Sequence, residues 1–365
     1  MHTDYIGFDV HKRTISFCVK DAAGQVLEQG VIPATRAAVT AWAKRRPRPW
    51  RGALEATLFS GWVYDELRPY AAELKVAHPA MLKAITAAKK KNDRVDTDKI
   101  TDLLRCNLLP ECYMAPGWVR EQRRLLRYRN RVVQQAVRLK NRISGLLMED
   151  GQVYDQRRLH GKRYFYALLE RLQTPASILQ LLRLSRGTLE LLQMAERRLI
   201  HQLRNDPRLH LRVRLLMSIR GVGEVLALTW ALEIAEVQRF SSIRKACSYC
   251  GLTSAQHNSA GQEQRGPISK QRNPHLQTIL IEAAKLAPRW NPELAALHQR
   301  ELARGNRNRA TLAVARKLVA YLMAVDRSGQ PFQPRSAVAG AATVPTEAGP
   351  AGPEFSQAGG NLSIR

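Results

Sequence analysis

The stretch Asp4-Tyr-Ile-Gly-Phe-Asp-Val-His-Lys12 alternates like a half-buried strand, with one carboxylate, Asp9, where a hydrophobe is expected. Ile6, Phe8 and Val10 fall on one face, and Gly7 and Asp9 on the other. Taken alone, Asp9 reads better as the start of a turn into Lys12-Arg13. Three later acids change that reading: Glu55 at the end of another strand, and Asp93 and Asp96 at a helix start. Asp93 and Asp96 are three residues apart and so share a helical face. Four carboxylates in these places point to a metal site of the kind that clamps both oxygens of a phosphoryl transfer, for which magnesium is the fitting ion. An acidic first turn favoured by the helix dipole is the ordinary alternative for the Asp93–Asp96 pair, and it accounts for Asp98.

Outward from that strand, Tyr5–Val10, Thr14–Lys20 and Gln25–Ile32 form an antiparallel meander, turning at Ala22-Ala23-Gly24. A helix over Thr35–Lys44 follows, broken by Pro47 and Pro49. Then come a strand over Arg51–Ala56, a helix near Gly61–Tyr70, a strand over Leu74–Ala77 and a helix from Ala80 to about Lys90. Three antiparallel strands followed by alternating strands and helices is the order of an α/β ribonuclease H-like domain.

The chain has 365 residues with 45% hydrophobic content, enough to bury two or three domain cores. Its 58 Lys and Arg stand against 31 Asp and Glu, a net charge of +27, which calls for a polyanionic partner, nucleic acid first. No apolar run is long enough to span a bilayer, and the first residues lack the basic-then-apolar pattern of a secretion signal, so a cytoplasmic protein without a membrane partner is expected. The five cysteines suggest no disulfide framework. Cys247 and Cys250 form a CxxC with no second ligand pair at zinc spacing, and packing explains them better than metal.

From Trp118 to Glu149 the pattern is one long amphipathic helix. Leu125, Val132, Val133, Val137, Leu139, Ile143, Leu146 and Leu147 make its stripe, and its other faces carry Arg124, Arg127, Arg131, Lys140 and Arg142 among further cations. A second helix over about Ile178–Leu203 has its own leucine stripe. The two make either a coiled-coil arm that dimerises or a plain helical hairpin. Further on, Leu216–Leu226 resembles a helix-hairpin-helix turn, in which Gly221 and Gly223 admit a phosphate to backbone N–H groups; a tight interhelical turn is the alternative. Gln256–Pro267 reads as a polar loop carrying Ser259, a surface serine if taken alone, with Arg265, Lys270 and Arg272 nearby. Lys90, in the Lys89–Lys91 run, suits a nucleic-acid backbone or a solvated turn. A last apolar helix over Asn308–Val325 precedes a Gly-, Pro-, Ala- and Ser-rich stretch expected to be disordered.

These blocks together resemble transposases of the insertion-sequence-110 family from Tyr5 to about Arg327. The matching motifs are Ile6-Gly-Phe-Asp9-Val-His-Lys, Glu55-Ala-Thr, Lys91-Asn-Asp93-Arg-Val-Asp96, Leu139-Lys-Asn-Arg142, Gly221-Val-Gly223, Tyr249-Cys-Gly-Leu252, Ser259-Ala-Gly261 and Ile268-Ser-Lys-Gln-Arg-Asn273. The chain differs from many members in having Leu58-Phe-Ser-Gly61 after the glutamate, where paired glycines are common. The resemblance implies a RuvC-like domain over residues 1–115, a helical or coiled-coil arm over 116–208, a mostly α C-terminal transposase domain over 209–327 and a tail from 328. It implies that Asp9, Glu55, Asp93 and Asp96 bind magnesium and that Ser259 is the nucleophile, attacking DNA to give a phosphoserine intermediate. It also implies a homo-oligomer acting on element ends and target DNA, guided by an element-encoded RNA. A junction-resolving nuclease using the same carboxylates with water, or a non-catalytic nucleic-acid scaffold, are the alternatives.

Overall fold

The computed structural model describes residues 3–47, 49–85, 93–259 and 262–334. Lys90 therefore lies outside the described residues, as do the side chains of Asp93, Ser259 and Arg265.

The N-terminal unit is a mixed five-stranded sheet ordered β3-β2-β1-β4-β5. β1 (Asp4–Val10), β2 (Thr14–Lys20) and β3 (Val26–Pro33) are the antiparallel meander, and β4 (Trp50–Glu55) and β5 (Glu73–Ala77) run parallel to β1. The turn between β2 and β3 closes where Gly24 takes a φ of +92°, left-handed backbone that glycine adopts readily. Parallel pairing needs crossovers, and α1 (Arg36–Lys44), N-capped by the Thr35 hydroxyl, and α2 (Ser60–Leu67) supply them.

Strand alternation gives the sheet two different faces. Ile6, Phe8, Val10, Phe17, Trp42, Trp50 and Leu54 share one buried cluster under α1 and α2, with the Phe8 and Trp42 rings edge to face at 5.3 Å. On the other face Ala53 and Ala77 pack with Leu82 of α3 (Pro79–Ile85) and with Ile100 and Leu104 of α4 (Asp93–Arg105). Gly7 makes this second packing possible: a Cβ there would meet the Thr97 carbonyl and the Thr101 hydroxyl, and would lie 2.9 Å from Thr101 N. Lys20, 4% exposed, fixes α4 by pairing with Asp98 and Asp102, each at 2.7 Å. Asp98 is thus an ion-pair partner, beyond the dipole role expected of it.

α5 (Gly117–Glu149), α6 (Lys162–Arg171) and α7 (Ala176–Arg204) follow, with α5 and α7 packed along each other within the chain. The α5 stripe differs in part from the expected one. Val119, Leu126, Ala136 and Ile143 are buried, whereas Val137 is half exposed. The outer half of the arm has its own core around Ile143, Leu147, Phe165, Leu182 and Leu189. The roots of the arm, Val119, Leu126 and Leu203, belong instead to the C-terminal core.

That core is built by α8 (Pro207–Met217), α9 (Glu224–Ile234), α10 (Ile243–Tyr249), α11 (Pro274–Leu286), α12 (Pro292–Ala303) and α13 (Arg307–Ser328). α9 is apolar on all sides and is wrapped by its neighbours, as such a helix must be. The expected polar loop is instead a hairpin of β6 (Ser254–Ser259) and β7 (Gln262–Ile268), held by ladder bonds between strands that lack an apolar face. Phe332, inside the expected tail, packs against Tyr321 with centroids 4.6 Å apart. Among the described residues no helix is long and apolar enough to cross a membrane.

Candidate active site

The register of the sheet places the first two carboxylates. Phe8 and Leu54 are the last paired residues of β1 and β4, so Asp9 and Glu55, the next residue on each strand, stand side by side at the strands' C-terminal ends. Asp9 lies on the face of Gly7, and Glu55 on the face of Ala53, which is the face that α4 covers. α4 runs antiparallel to β1. Its Arg105 end donates to the Ala22 carbonyl beside the β2–β3 turn, and Thr97 and Thr101 lie over Gly7. Its first turn, Asp93–Asp96, is therefore directed at the strand ends that carry Asp9 and Glu55. The Asp9 side chain is only 13% exposed, with His11 Nε2 3.1 Å from its Oδ2.

Asp9 and Glu55, at one end of the sheet, offer hard oxygen donors, suited to a magnesium-like ion and unsuited to a thiophilic one. Among the described residues, which lack the Asp93 side chain, no three His, Cys, Asp or Glu groups form a site. The CxxC offers none either. Both thiols are buried; desolvation pushes Cys247 up to about 11 and Cys250 higher still, so both stay protonated and act as packing residues.

Just after Glu55 the chain turns at Thr57–Ser60, closed by the Ser60 hydroxyl, which donates to the Thr57 carbonyl at 2.8 Å. This turn opens onto a cleft of about 570 Å³ lined by Arg36, Thr57, Trp62, Arg120, Arg123 and Arg124, with Asp65 opposing them. Cys112, Tyr113 and Arg127 form its far wall and are shared with a second hollow of about 740 Å³, which reaches Arg239, Tyr249 and the Lys270–His275 loop. The two hollows thus run from the carboxylate sheet to the domain that bears the Ser259 hairpin. Ser269 N donates to the Thr253 carbonyl at 3.1 Å and closes the base of that hairpin, so β6 and β7 spring from the rim of the second hollow.

The expected nucleic-acid contacts divide in this setting. Arg124, Lys270 and Arg272 line the cleft, and Arg124 and Lys270 have no partner among the described residues. Arg127 lines it too, but two of its donors are engaged: Nε and Nη2 each donate to Glu233 at 2.8 Å. Glu233 is fully buried and also accepts from Asn273 Nδ2 at 2.8 Å, with Arg123 Nε 3.6 Å away. Burial pushes this carboxyl up, yet the bond and charge of Arg127, with Arg123 and Asn273, carry it below the usual carboxylate range. Arg131, Lys140 and Arg142 lie further along α5 and line neither hollow. Gly221, at φ +97°, lies against Ala287, where a Cβ would meet the Ala287 Cβ at 2.7 Å; Gly223, before α9, has open space. Gly221 is therefore a packing glycine of the interhelical turn.

Sequence reasoning missed Tyr113, Arg239, Tyr249 and His275 as cleft residues. Each is a single polar residue in an apolar or mixed stretch, and only the tertiary fold brings them together.

The comparisons with known proteins agree with this architecture. Residues 6–149, the sheet domain and α5, match a family described as a transposase and named for DEDD acids and IS110. Residues 213–299, within the C-terminal unit, match the Transposase IS116/IS110/IS902 family. A Pseudomonas aeruginosa protein described as "Probable family 20 transposase" is 26% identical over 298 residues, 79% of this chain and 85% of its own length. The Coxiella burnetii transposase for insertion sequence element IS1111A is 29% identical over 167 residues, 44% of this chain and 45% of its own. A carboxylate-bearing sheet joined to this C-terminal unit is, in class, a transposase. Together the two family matches cover more than half of the sequence, and the chain belongs to the IS110 family of insertion-sequence transposases.

Proposed function

We propose that this chain cuts and rejoins DNA at the ends of a mobile element, with Asp9, Glu55, Asp93 and Asp96 as ligands of magnesium and Ser259 as the nucleophile. The observation that carries the reading is the placement of Asp9 and Glu55 side by side on parallel strands, with the first turn of α4 directed at them. The sheet order with α4 across it supports a ribonuclease H-like, RuvC-like domain. When bound, magnesium supplies positive charge at the scissile phosphate and makes hydroxyl ionisation easier.

The chain's own groups do the rest. Ser259 Oγ gives up its proton and attacks phosphorus, an Oγ–P bond forms as the P–O3′ bond breaks, and the departing 3′-oxygen takes up one proton, directly or through water, so that no proton is gained or lost overall. Arg124, Lys270 and Arg272 bring cations to the cleft where charge develops, and Arg265 follows Ser259 on the partner strand of its hairpin. The net charge of +27 supports DNA and a guide RNA as partners, and the exposed Leu181, Leu184 and Leu191 of α7 support self-association through the arm. A cytoplasmic site of action is part of the same reading.

The test is covalent trapping. Purified protein is incubated with element-end DNA, any co-purifying RNA and magnesium, and the attached residue is mapped by mass spectrometry. An adduct on Ser259 that disappears in Ser259→Ala and in Asp9→Ala, with DNA binding retained, is the expected result. Cleavage to free ends without an adduct would assign the attack to water, and an adduct that persists in Ser259→Ala would move the nucleophile elsewhere.

A further inference from the structure

The larger hollow has a chemistry that backbone binding alone does not call for. Tyr113, on the segment that leads from α4 into α5, and Tyr249, at the end of α10, both lie against Arg239. The guanidinium is 4.7 Å from the Tyr113 ring, 4.4 Å from Tyr249 and 4.2 Å from Phe240. Nε of Arg239 donates to the Ile234 carbonyl, but Nη2 is buried with no acceptor among the described residues. Buried donors of this kind normally find a partner. Tyr113 keeps 37% of its surface exposed, so part of its ring is open. Burial, with Glu236 beside it, pushes the Tyr113 phenol up to about 12, and the ring carries no charge at neutral pH.

Around this stack stand groups that read base edges and groups that neutralise phosphate. Gln271, His275 and His78 carry amide and imidazole donors and acceptors, while Lys270 and Arg272 are cations, opposed among the lining groups by Glu111. The volume, about 740 Å³, lies within the ~300–1,000 Å³ of pockets that enclose a small molecule and is far too small for a duplex. Open aromatic surface, edge-reading polar groups and phosphate-binding cations in one hollow of this size match the needs of a nucleotide taken out of a helical stack.

We infer that the hollow between Tyr113, Arg239, Tyr249 and the Lys270–His275 loop binds a single unstacked nucleotide of a DNA or RNA strand. This rests on the nucleic-acid reading above and adds a subsite to it: the strand leaves its duplex near the carboxylate sheet and lodges one base between the two domains.

The experiment uses the full chain and three probes of mixed sequence: a 12-nucleotide DNA single strand, the same strand as RNA, and a blunt 12-base-pair DNA duplex. Each carries a fluorophore for anisotropy, and the single strands also carry a photoreactive 4-thio-pyrimidine. Ultraviolet cross-links mapping to Tyr113, Tyr249 or the Lys270–His275 loop are expected. Tyr113→Leu should weaken single-strand binding about tenfold, as loss of one base–aromatic stack does, and leave duplex binding within about twofold. Gln271→Ala, at an exposed position that does not threaten folding, should weaken single-strand binding severalfold with the same selectivity. Whichever sugar gives the stronger cross-link identifies the strand. Cross-links confined to the arm, or equal losses for duplex and single strand in both variants, would overturn the subsite while leaving the nucleic-acid reading in place. Absence of binding to all three probes would overturn both.

Discussion

Glu233 shows what a single buried charge does here. It joins Arg127 and Arg123 of α5 to Asn273 at the start of α11, so one carboxylate holds together the wall and the floor of the larger hollow. Glu233→Ala would leave the Arg127 guanidinium and the buried Asn273 amide without this acceptor and Arg123 without its countercharge, and should destabilise the protein by about 3–5 kcal/mol in urea unfolding. Its acid dependence follows in sign. A carboxyl held below its ordinary value stabilises fully above about pH 4.5 and loses that contribution as pH falls through its folded value. His275 adds an earlier stage. Burial is the first cause that lowers it, so the folded state resists its protonation and stability falls as pH drops below about 6.5. Urea midpoints measured from pH 8 down to about pH 2 should therefore decline in two stages, and His275→Gln should shrink the first, to which His160, also held down by burial, contributes. Asp9 and Glu55 were legible in the sequence because a charge at the end of an apolar strand breaks a strong pattern. Glu233 was not: in Trp230-Ala-Leu-Glu-Ile234 nothing marks it as the partner of arginines about 110 residues away.

The element with the tightest fit is α4. It lies against β1 at Gly7, held from beneath by the Lys20 pairs to Asp98 and Asp102. Gly7→Ala forces a Cβ into the Thr97–Thr101 backbone and should cost about 1–3 kcal/mol, by overpacking. It should also shift the first turn of α4 away from Asp9 and Glu55, so strand cleavage should fall by far more than the loss of folded protein; thermal unfolding and a cleavage assay on one sample separate the two. The strands and helices around this contact were readable because β-branched alternation, Thr35 and the proline break each act locally. The β6–β7 hairpin was not. Gln256, His257, Asn258 and Ser259 lack the apolar alternation that marks a strand, and their pairing is set by ladder bonds to residues 262–268.

At the scale of the whole molecule the excess of basic residues was plain in the composition, but which cations remain for a partner was not. Arg120 pairs with Asp65, Arg129 with Glu196 and Arg212 with Asp326, whereas Arg124 faces the cleft without a partner among the described residues. Salt titrations of DNA binding should thus give a steep slope that becomes shallower by about one in Arg124→Ala, and that stays unchanged in Arg212→Ala. A slope equally reduced by both would mean that the pairing with Asp326 opens on binding.

Because the foot of α5 is packed into the C-terminal core, the two halves of the cleft come into existence at different moments of synthesis. The sheet and α4 are complete once Leu104 has left the ribosome, and they have their own core. Arg123 and Arg127 find their acceptor only after Glu233 has emerged, and Asn273 joins them later still. At ~5–20 residues per second, that interval is on the order of ten seconds. During it a nascent chain holds Asp9 and Glu55 in place but lacks the arginine wall of the cleft, so DNA cleavage is expected only from chains released past Asn273.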